Sequence, residues 1–145
     1  MSTKGDPVVL VVDDESDVAD AYAAQLEERY TVLTAYSGED ALETVDETVD
    51  VVLLDRRMPG ISGDDVLEQI RDRGLECRIV MVTAVDPDFD VIEMPFDDYV
   101  TKPVDSTDLF ESIERLLTFR SYESLFQQFY RTTRKLATLR TNKTE

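Results

Sequence analysis

Short apolar runs punctuate this chain, and each ends at a residue with chemistry of its own. Val8–Val12 runs into Asp13 and Asp14, and Val51–Leu54 runs into Asp55. Ile79–Val82 runs into Thr83, and the short stretch at Tyr99–Val100 stops just before Lys102-Pro103. Apolar segments of this length, alternating with segments of helical period, predict a parallel α/β sheet. In such sheets ligands bind outside the carboxyl ends of the strands. Three carboxylates, a hydroxyl and an ammonium are therefore expected in one crevice. Carboxylates that close repel one another unless a cation sits among them. Hard oxygen donors at this density suit Mg²⁺, which keeps some of its waters and pairs readily with phosphate.

Residues 1–7 read as a leader. Val8–Val12 is a continuous β-branched run, as expected of a central strand buried on both faces. Val18, Tyr22 and Leu26 recur at four-residue steps and mark the inward face of a helix over 16–29. Thr31–Ala35 reads as the second strand. Ser37-Gly38-Glu39-Asp40 has the form of a capping box, with Ser37 as N-cap and Asp40 reaching back. The helix behind it carries Ala41, Leu42 and Val45 inward. A turn-rich loop, Met58–Gly63, leads into a helix from Asp64 to Arg73, with Val66, Leu67 and Ile70 on one face and Gly74 as C-cap. A final domain helix over 106–117 turns Leu109, Ile113, Leu116 and Leu117 inward. Cys77, the single cysteine, reads as a half-buried thiol and cannot form an internal disulfide.

Four motifs carry a family resemblance: Val-Val-Asp-Asp-Glu (11–15), Leu-Leu-Asp-Arg-Arg-Met-Pro-Gly (53–60), Val-Thr-Ala (82–84) and Asp-Tyr-Val-Thr-Lys-Pro (98–103). Together, in this order, they resemble the receiver domain of two-component response regulators over about residues 7–117. The resemblance implies a doubly wound, CheY-like α/β fold with a five-stranded parallel sheet in the order 2-1-3-4-5. It makes Asp55 the phospho-acceptor, a carboxylate nucleophile that forms an acyl phosphate. It implies that Asp14 and Asp55 hold Mg²⁺ together with the backbone carbonyl of Arg57, and that Asp13 acts through water or holds Asp14 in place. Lys102 is expected on a phosphoryl oxygen, aimed by a cis bend at Pro103, and Thr83 is expected to hydrogen-bond the same group. Tyr99 stands where the family places its switch aromatic, although core packing is a rival reading. The implied partner is a sensor histidine kinase, because the chain has no histidine of its own. The implied output is transcriptional, with no turnover chemistry beyond self-phosphorylation from small donors and autodephosphorylation.

Three departures from that pattern carry expectations. Arg56 and Arg57 follow the acceptor directly, and Arg57 either lies over the site or pairs with the acidic surface. Val85, two residues after Thr83, offers no polar group to orient a water, which favours a long-lived phosphorylated state. Between Thr83 and Lys102, Pro87 and Pro95 leave room for two turns at most, so a stunted fourth helix is expected around Asp88–Glu93. That segment normally builds the dimer face of a receiver. The tail offers a substitute, since Tyr122, Leu125, Phe129, Leu136 and Leu139 recur at helical steps, with Thr132 interrupting the stripe. Residues 118–145 are expected to form an extra C-terminal helix that continues from the domain, protrudes, and mediates self-association over 121–140 as a coiled-coil-like pair. The tail resembles the start of the HalX domain that follows haloarchaeal receivers, which implies that the chain stops within a longer regulator.

Two other functions compete. A phosphohydrolase of the haloacid dehalogenase type needs a second aspartate two residues after its nucleophile, where this chain has Arg57, and its nucleophile follows the first strand rather than the third. A phosphorylation-independent interaction module would not require the full set of site residues. No apolar run approaches the length of a membrane span, and the N-terminus lacks an apolar signal region, so a cytoplasmic protein is expected. The net charge is −17, and six Lys/Arg against two Glu in residues 118–145 leave −21 on the first 117. Such a field repels DNA, so 1–117 is not expected to bind nucleic acid. The basic tail residues read as a solvated helix face.

An excess of negative charge this large predicts a halophilic protein that works in concentrated salt, where screening lengths fall to about 3 Å at 1 M. Its melting temperature is expected to rise as KCl increases from about 0.1 M to about 2 M, because added salt screens self-repulsion. A flat thermal-melt series over that range contradicts this reading.

Overall fold

The computed structural model describes residues 5–118, 131 and 133–139. Five strands, β1 (Val8–Val12), β2 (Thr31–Ala35), β3 (Val51–Leu54), β4 (Arg78–Thr83) and β5 (Asp98–Thr101), form one parallel sheet in the order β2-β1-β3-β4-β5. The strand residues divide cleanly between its faces. Leu10, Val12, Val52, Leu54, Ile79 and Met81 point into one core, while Val9, Val11, Val51, Leu53, Val80 and Val82 point into the other. This two-sided burial is why the runs are continuously apolar rather than alternating.

Helices α1 (Ser16–Leu26) and α4 (Ser106–Thr118) supply the second core, and α2 (Gly38–Thr44) and α3 (Gly63–Asp72) the first. In α1 the buried stripe is Ala19, Ala23 and Leu26, with Val18 and Tyr22 only partly covered, so the inward face is rotated from the expected one. Small alanines let α1 approach the sheet closely, and the larger Tyr22 sits at the margin. Ser37 caps α2 by accepting the Asp40 N–H at 3.0 Å, but Asp40 reaches back to the Tyr36 N–H at 3.3 Å rather than to Ser37. Gly74, at φ 79°, closes α3 in the left-handed region that glycine enters without strain. Cys77 is buried rather than half-buried, and burial pushes its thiol up.

Where the stunted fourth helix is expected, around Asp88–Glu93, the chain makes a 3₁₀ turn, Phe89–Glu93, between Pro87 and Pro95. Asp88 caps it by accepting the Phe89 N–H at 2.7 Å. The uncovered flank is filled by the tail. Residues 133–139 are helical, and Leu139 is buried in the first core beside Val91, Phe96 and Tyr99. This corrects the expectation of a protruding helix for the described part of 121–140. The other residues named there, Tyr122, Leu125, Phe129 and Thr132, lie outside the described residues, and Leu136 is 46% exposed.

The docking is electrostatic as well as apolar, and two buried carboxylates organise it. Asp97 accepts from the Ile79 N–H at 2.8 Å and from Arg71 of α3 at 3.0 Å, and it pairs with Arg131. Asp98 accepts from Ser112 at 2.8 Å, from Arg115 of α4 at 2.7 Å and from Arg134 at 2.9 Å. Lys135 lies over the Phe96 ring, 4.6 Å from its centroid, and donates to the Ile92 and Met94 carbonyls. Burial, with Arg131 beside it, pulls the Lys135 ammonium down to about 8.

Burial opposes the charge of Asp98, but Arg134, Ser112 and the Tyr99 N–H outweigh it and hold its carboxyl below the ordinary value. A depressed aspartate stabilises the fold above its unfolded value of about 3.9, and that stabilisation is lost as pH falls through the folded value. Asp98→Asn leaves two arginines undercompensated. Each is about one-third exposed, so the expected cost at pH 7 is about 1–2 kcal/mol rather than the 3–5 of a fully buried pair. Urea unfolding checks this: the gap from wild type should hold down to about pH 4 and narrow below it.

Candidate functional site

The register of the sheet assembles the site. Val12 lies beside Leu54 and Leu54 beside Met81, while Thr83 lies beside Thr101. The residues that follow Val12, Leu54 and Thr101 are Asp13, Asp55 and Lys102, and with Thr83 at the end of β4 they meet at one edge. One carboxylate oxygen from each of Asp13, Asp14 and Asp55 lies within 4.8 Å of the others. Asp13 and Asp55 are buried and Asp14 is exposed, which gives the cluster one open side. Asp13 Oδ1 accepts the Glu15 N–H at 3.0 Å, and Asp55 Oδ1 accepts the Arg57 N–H at 3.3 Å.

Lys102 closes the cluster. Its Nζ donates to Asp13 Oδ2 at 2.7 Å and to Asp55 Oδ2 at 3.2 Å, and the Lys102-Pro103 peptide is cis, as expected from the sequence. Burial opposes the ammonium, but the hydrogen bond to Asp13 and the charges of Asp55 and Asp13 raise its pKa above the ordinary lysine value. One cation against three carboxylates leaves the cluster net negative. Its donor set is all oxygen, close-spaced and open on one side, which fits a hard divalent ion that retains waters. Asp13 is thus a partner of Lys102 as well as a neighbour of Asp14.

Thr83 is buried, and its hydroxyl accepts the Val85 N–H at 3.3 Å, which leaves its own proton free to donate. Tyr99 is buried at 6% exposure and packs on Phe96 with ring centroids 5.5 Å apart. Its hydroxyl donates to the Val85 carbonyl at 2.6 Å, and burial pushes the phenol up. Arg57 is exposed, and no ion pair among the described residues includes it.

Two residues near the site were not singled out for it from sequence. Arg56 is buried and binds both oxygens of Asp64 at 3.0 Å, Asp90 at 3.1 Å and the Tyr99 hydroxyl at 3.2 Å. Its position straight after Asp55 drew notice, but nothing local distinguishes it from Arg57. Tyr22 of α1 lies within the field of Lys102, Asp13 and Asp55, and its phenol is raised chiefly by burial. Its helical spacing read as core, and only the fold brings it near the carboxylates.

A parallel doubly wound sheet in this strand order, with an acidic cluster at its carboxyl edge, defines an α/β domain of the CheY-like class. Residues 9–114 match the response regulator receiver domain, and the chain belongs to that family. It is 56% identical over 124 residues to a Haloferax volcanii protein named "Putative transcriptional regulator". That alignment covers 85% of this chain and 21% of the relative, so the chain spans about a fifth of that protein's length. Among solved structures it is similar to a CheY-like receiver domain protein from Methanospirillum hungatei, at 26% identity and a TM-score of 0.75, covering 80% of this chain and 97% of that one. It is also similar to response regulator TrrA from Thermotoga maritima, solved with Mg²⁺ and BeF, at 34% identity and a TM-score of 0.67, covering 76% and 98%. Receiver domains of this family take phosphoryl groups from sensor histidine kinases and typically bind Mg²⁺. Among the described residues no helix is long and apolar enough to cross a membrane.

The position of Asp55 depends on one close approach. A Cβ on Gly63 would sit 1.8 Å from the Asp55 carbonyl oxygen and 2.8 Å from the Arg56 Cα, and the Gly63 N–H donates to the Arg56 carbonyl at 2.8 Å. Both neighbours are backbone and cannot rotate away. Gly63→Ala is expected to cost about 1–3 kcal/mol by overpacking, measured by urea unfolding. Gly5→Ala meets no atom within 4 Å and is the control. Equal effects for the two substitutions contradict the packing argument.

Proposed function

We propose that this chain is the phospho-accepting switch of a two-component system, that Asp55 takes the phosphoryl group, and that the output of the longer regulator is transcriptional. The observation that carries the reading is the Asp13–Lys102–Asp55 bridge beside Asp14, a net-negative oxygen cluster with a built-in cation. Residues 1–145 contain no histidine, so the donor imidazole lies outside them, in our reading on a sensor histidine kinase. A carboxylate oxygen of Asp55 attacks the phosphorus, an O–P bond forms, the donor's P–N bond breaks, and its electron pair returns to the imidazole nitrogen.

Asp14, Asp55 and the Arg57 carbonyl would hold Mg²⁺, with Asp13 through water. When bound, the ion cancels negative charge that would otherwise repel the incoming phosphoryl group. Lys102, already within 3.2 Å of Asp55, donates to a phosphoryl oxygen from the other side. The free proton of Thr83 is directed to the same group. Val85 presents no polar side chain for aligning a hydrolytic water, which supports slow loss of the acyl phosphate. The chain acts as a switch rather than a turnover enzyme, limited to self-phosphorylation by small donors and autodephosphorylation.

Incubation with acetyl phosphate and Mg²⁺ in high salt is expected to add one phosphoryl mass, detected by intact mass spectrometry. Asp55→Asn should lose it, and Asp14→Ala should abolish the Mg²⁺-dependent labelling. Labelling that persists in Asp55→Asn overturns the assignment.

A further inference from the structure

Arg56 is an arginine with only 9% of its surface exposed, one residue beyond the proposed acceptor. Burying a guanidinium is costly unless its donors are used. Here they are. Nε and Nη2 grip the two oxygens of Asp64 in the first turn of α3, Nη2 also reaches Asp90 in the 3₁₀ turn, and Nη1 donates to the Tyr99 hydroxyl on β5. Three separate elements are thus tied to one side chain.

The consequence for Tyr99 is specific. Its hydroxyl accepts from Arg56 and donates to the Val85 carbonyl, so both of its hydrogen-bonding capacities are met in the buried position. Swinging the ring outward breaks both bonds. It also strands Nη1 of a buried cation, and an unsatisfied charged donor is the expensive outcome. A switch aromatic, the role that the receiver resemblance implies for Tyr99, would change place with the state of Asp55. Here the ring lies inward, against Phe96, with Arg56 holding its hydroxyl.

We propose that Arg56 is a positioning residue that holds Tyr99 in its buried place whether or not Asp55 is phosphorylated. Tyr99 is then a fixed strut between β5 and the 83–90 segment rather than a moving reporter. The proposal rests on the phospho-acceptor reading above for its meaning, but the position of Tyr99 can be measured apart from it.

The test uses the full chain in high KCl with ¹³C-labelled tyrosine rings, the Tyr99 signal being assigned by its loss in Tyr99→Phe. Accessibility is read as broadening by a neutral soluble gadolinium chelate, with and without Mg²⁺ and beryllofluoride as the phosphoryl mimic. In wild type the Tyr99 signal is expected to stay protected and unshifted in both states. In Arg56→Met its broadening should rise several-fold without the mimic. Arg56→Lys keeps a cation for Asp64 but cannot fork to Tyr99. It should show the same rise, and it serves where the methionine variant fails to fold. A wild-type Tyr99 that moves from exposed to buried on adding the mimic overturns the proposal, as does unchanged protection in both variants. Acetyl phosphate labelling of the same samples is scored separately, so a wild type that fails to label at Asp55 counts against the phospho-acceptor reading alone.

Discussion

The repulsion among Asp13, Asp14 and Asp55 is the constraint around which this domain is arranged. A parallel sheet brings the carboxyl ends of its strands to one edge, and the register places carboxylates after both β1 and β3. Two of the three are buried, where the field between like charges is least screened. Lys102 makes the arrangement tolerable by touching two of them at once. Those carboxylates more than offset the burial that opposes its own charge. Site and fold therefore support each other: β5 must pair with β4 for Lys102 to reach Asp13, and Lys102 in turn draws the end of β5 toward the edge. The backbone bond from the Lys102 N–H to the Thr83 carbonyl, at 2.8 Å, adds to that alignment.

The same principle recurs at the other end of β5. Asp97 and Asp98 are nearly fully buried, and a buried carboxylate needs cations or N–H groups. The domain supplies Arg71 and Arg115, and the tail supplies Arg131 and Arg134. The missing fourth helix and the docked tail are two sides of one solution. The 3₁₀ turn is too short to cover this flank of β4 and β5, and Leu139, with the Lys135 ammonium over the Phe96 ring, packs there. The positive balance of the tail, set against the acidity of the first 117 residues, thus has a structural use within the chain.

Strand identity was legible because two-sided burial writes itself as continuous apolar runs, and each site aspartate could be read from the end of its run. The helices of the first core were legible from caps and spacing, as at Ser37, which accepts the Asp40 N–H at 3.0 Å. What could not be read was whatever depends on distance between elements. The face of α1 was legible only in part: Leu26 is fully buried as read, but alanine carries little hydrophobic signal, and Ala19 and Ala23 are buried with it. The stripe in the tail was visible, but spacing alone does not say whether it meets a second copy or its own domain. That choice is made by Asp97 and Asp98, about 35 residues earlier, whose burial no local pattern reveals. Arg56 and Arg57 look alike in sequence and part company only because the chain turns between them.

These contacts meet in the segment that joins β4 to β5. It has too little regular structure to hold its own shape, and side chains from elsewhere hold it instead. Tyr99 takes the Val85 carbonyl, Arg56 takes Asp90, and Lys135 takes the Ile92 and Met94 carbonyls. Two of those anchors, Arg56 and Tyr99, are bonded to each other and begin one residue from Asp55. The third belongs to the tail. The segment is therefore tied on one side to Arg56, next to Asp55, and on the other to the docked tail helix. In a domain with a full fourth helix, that helix's own hydrogen bonds would hold the segment. Here the hold is a few side-chain bonds, several of them partly exposed and open to screening by salt. The chain of contacts from the carboxylate cluster to the tail is short, and it runs partly through exposed ion pairs, which salt screens.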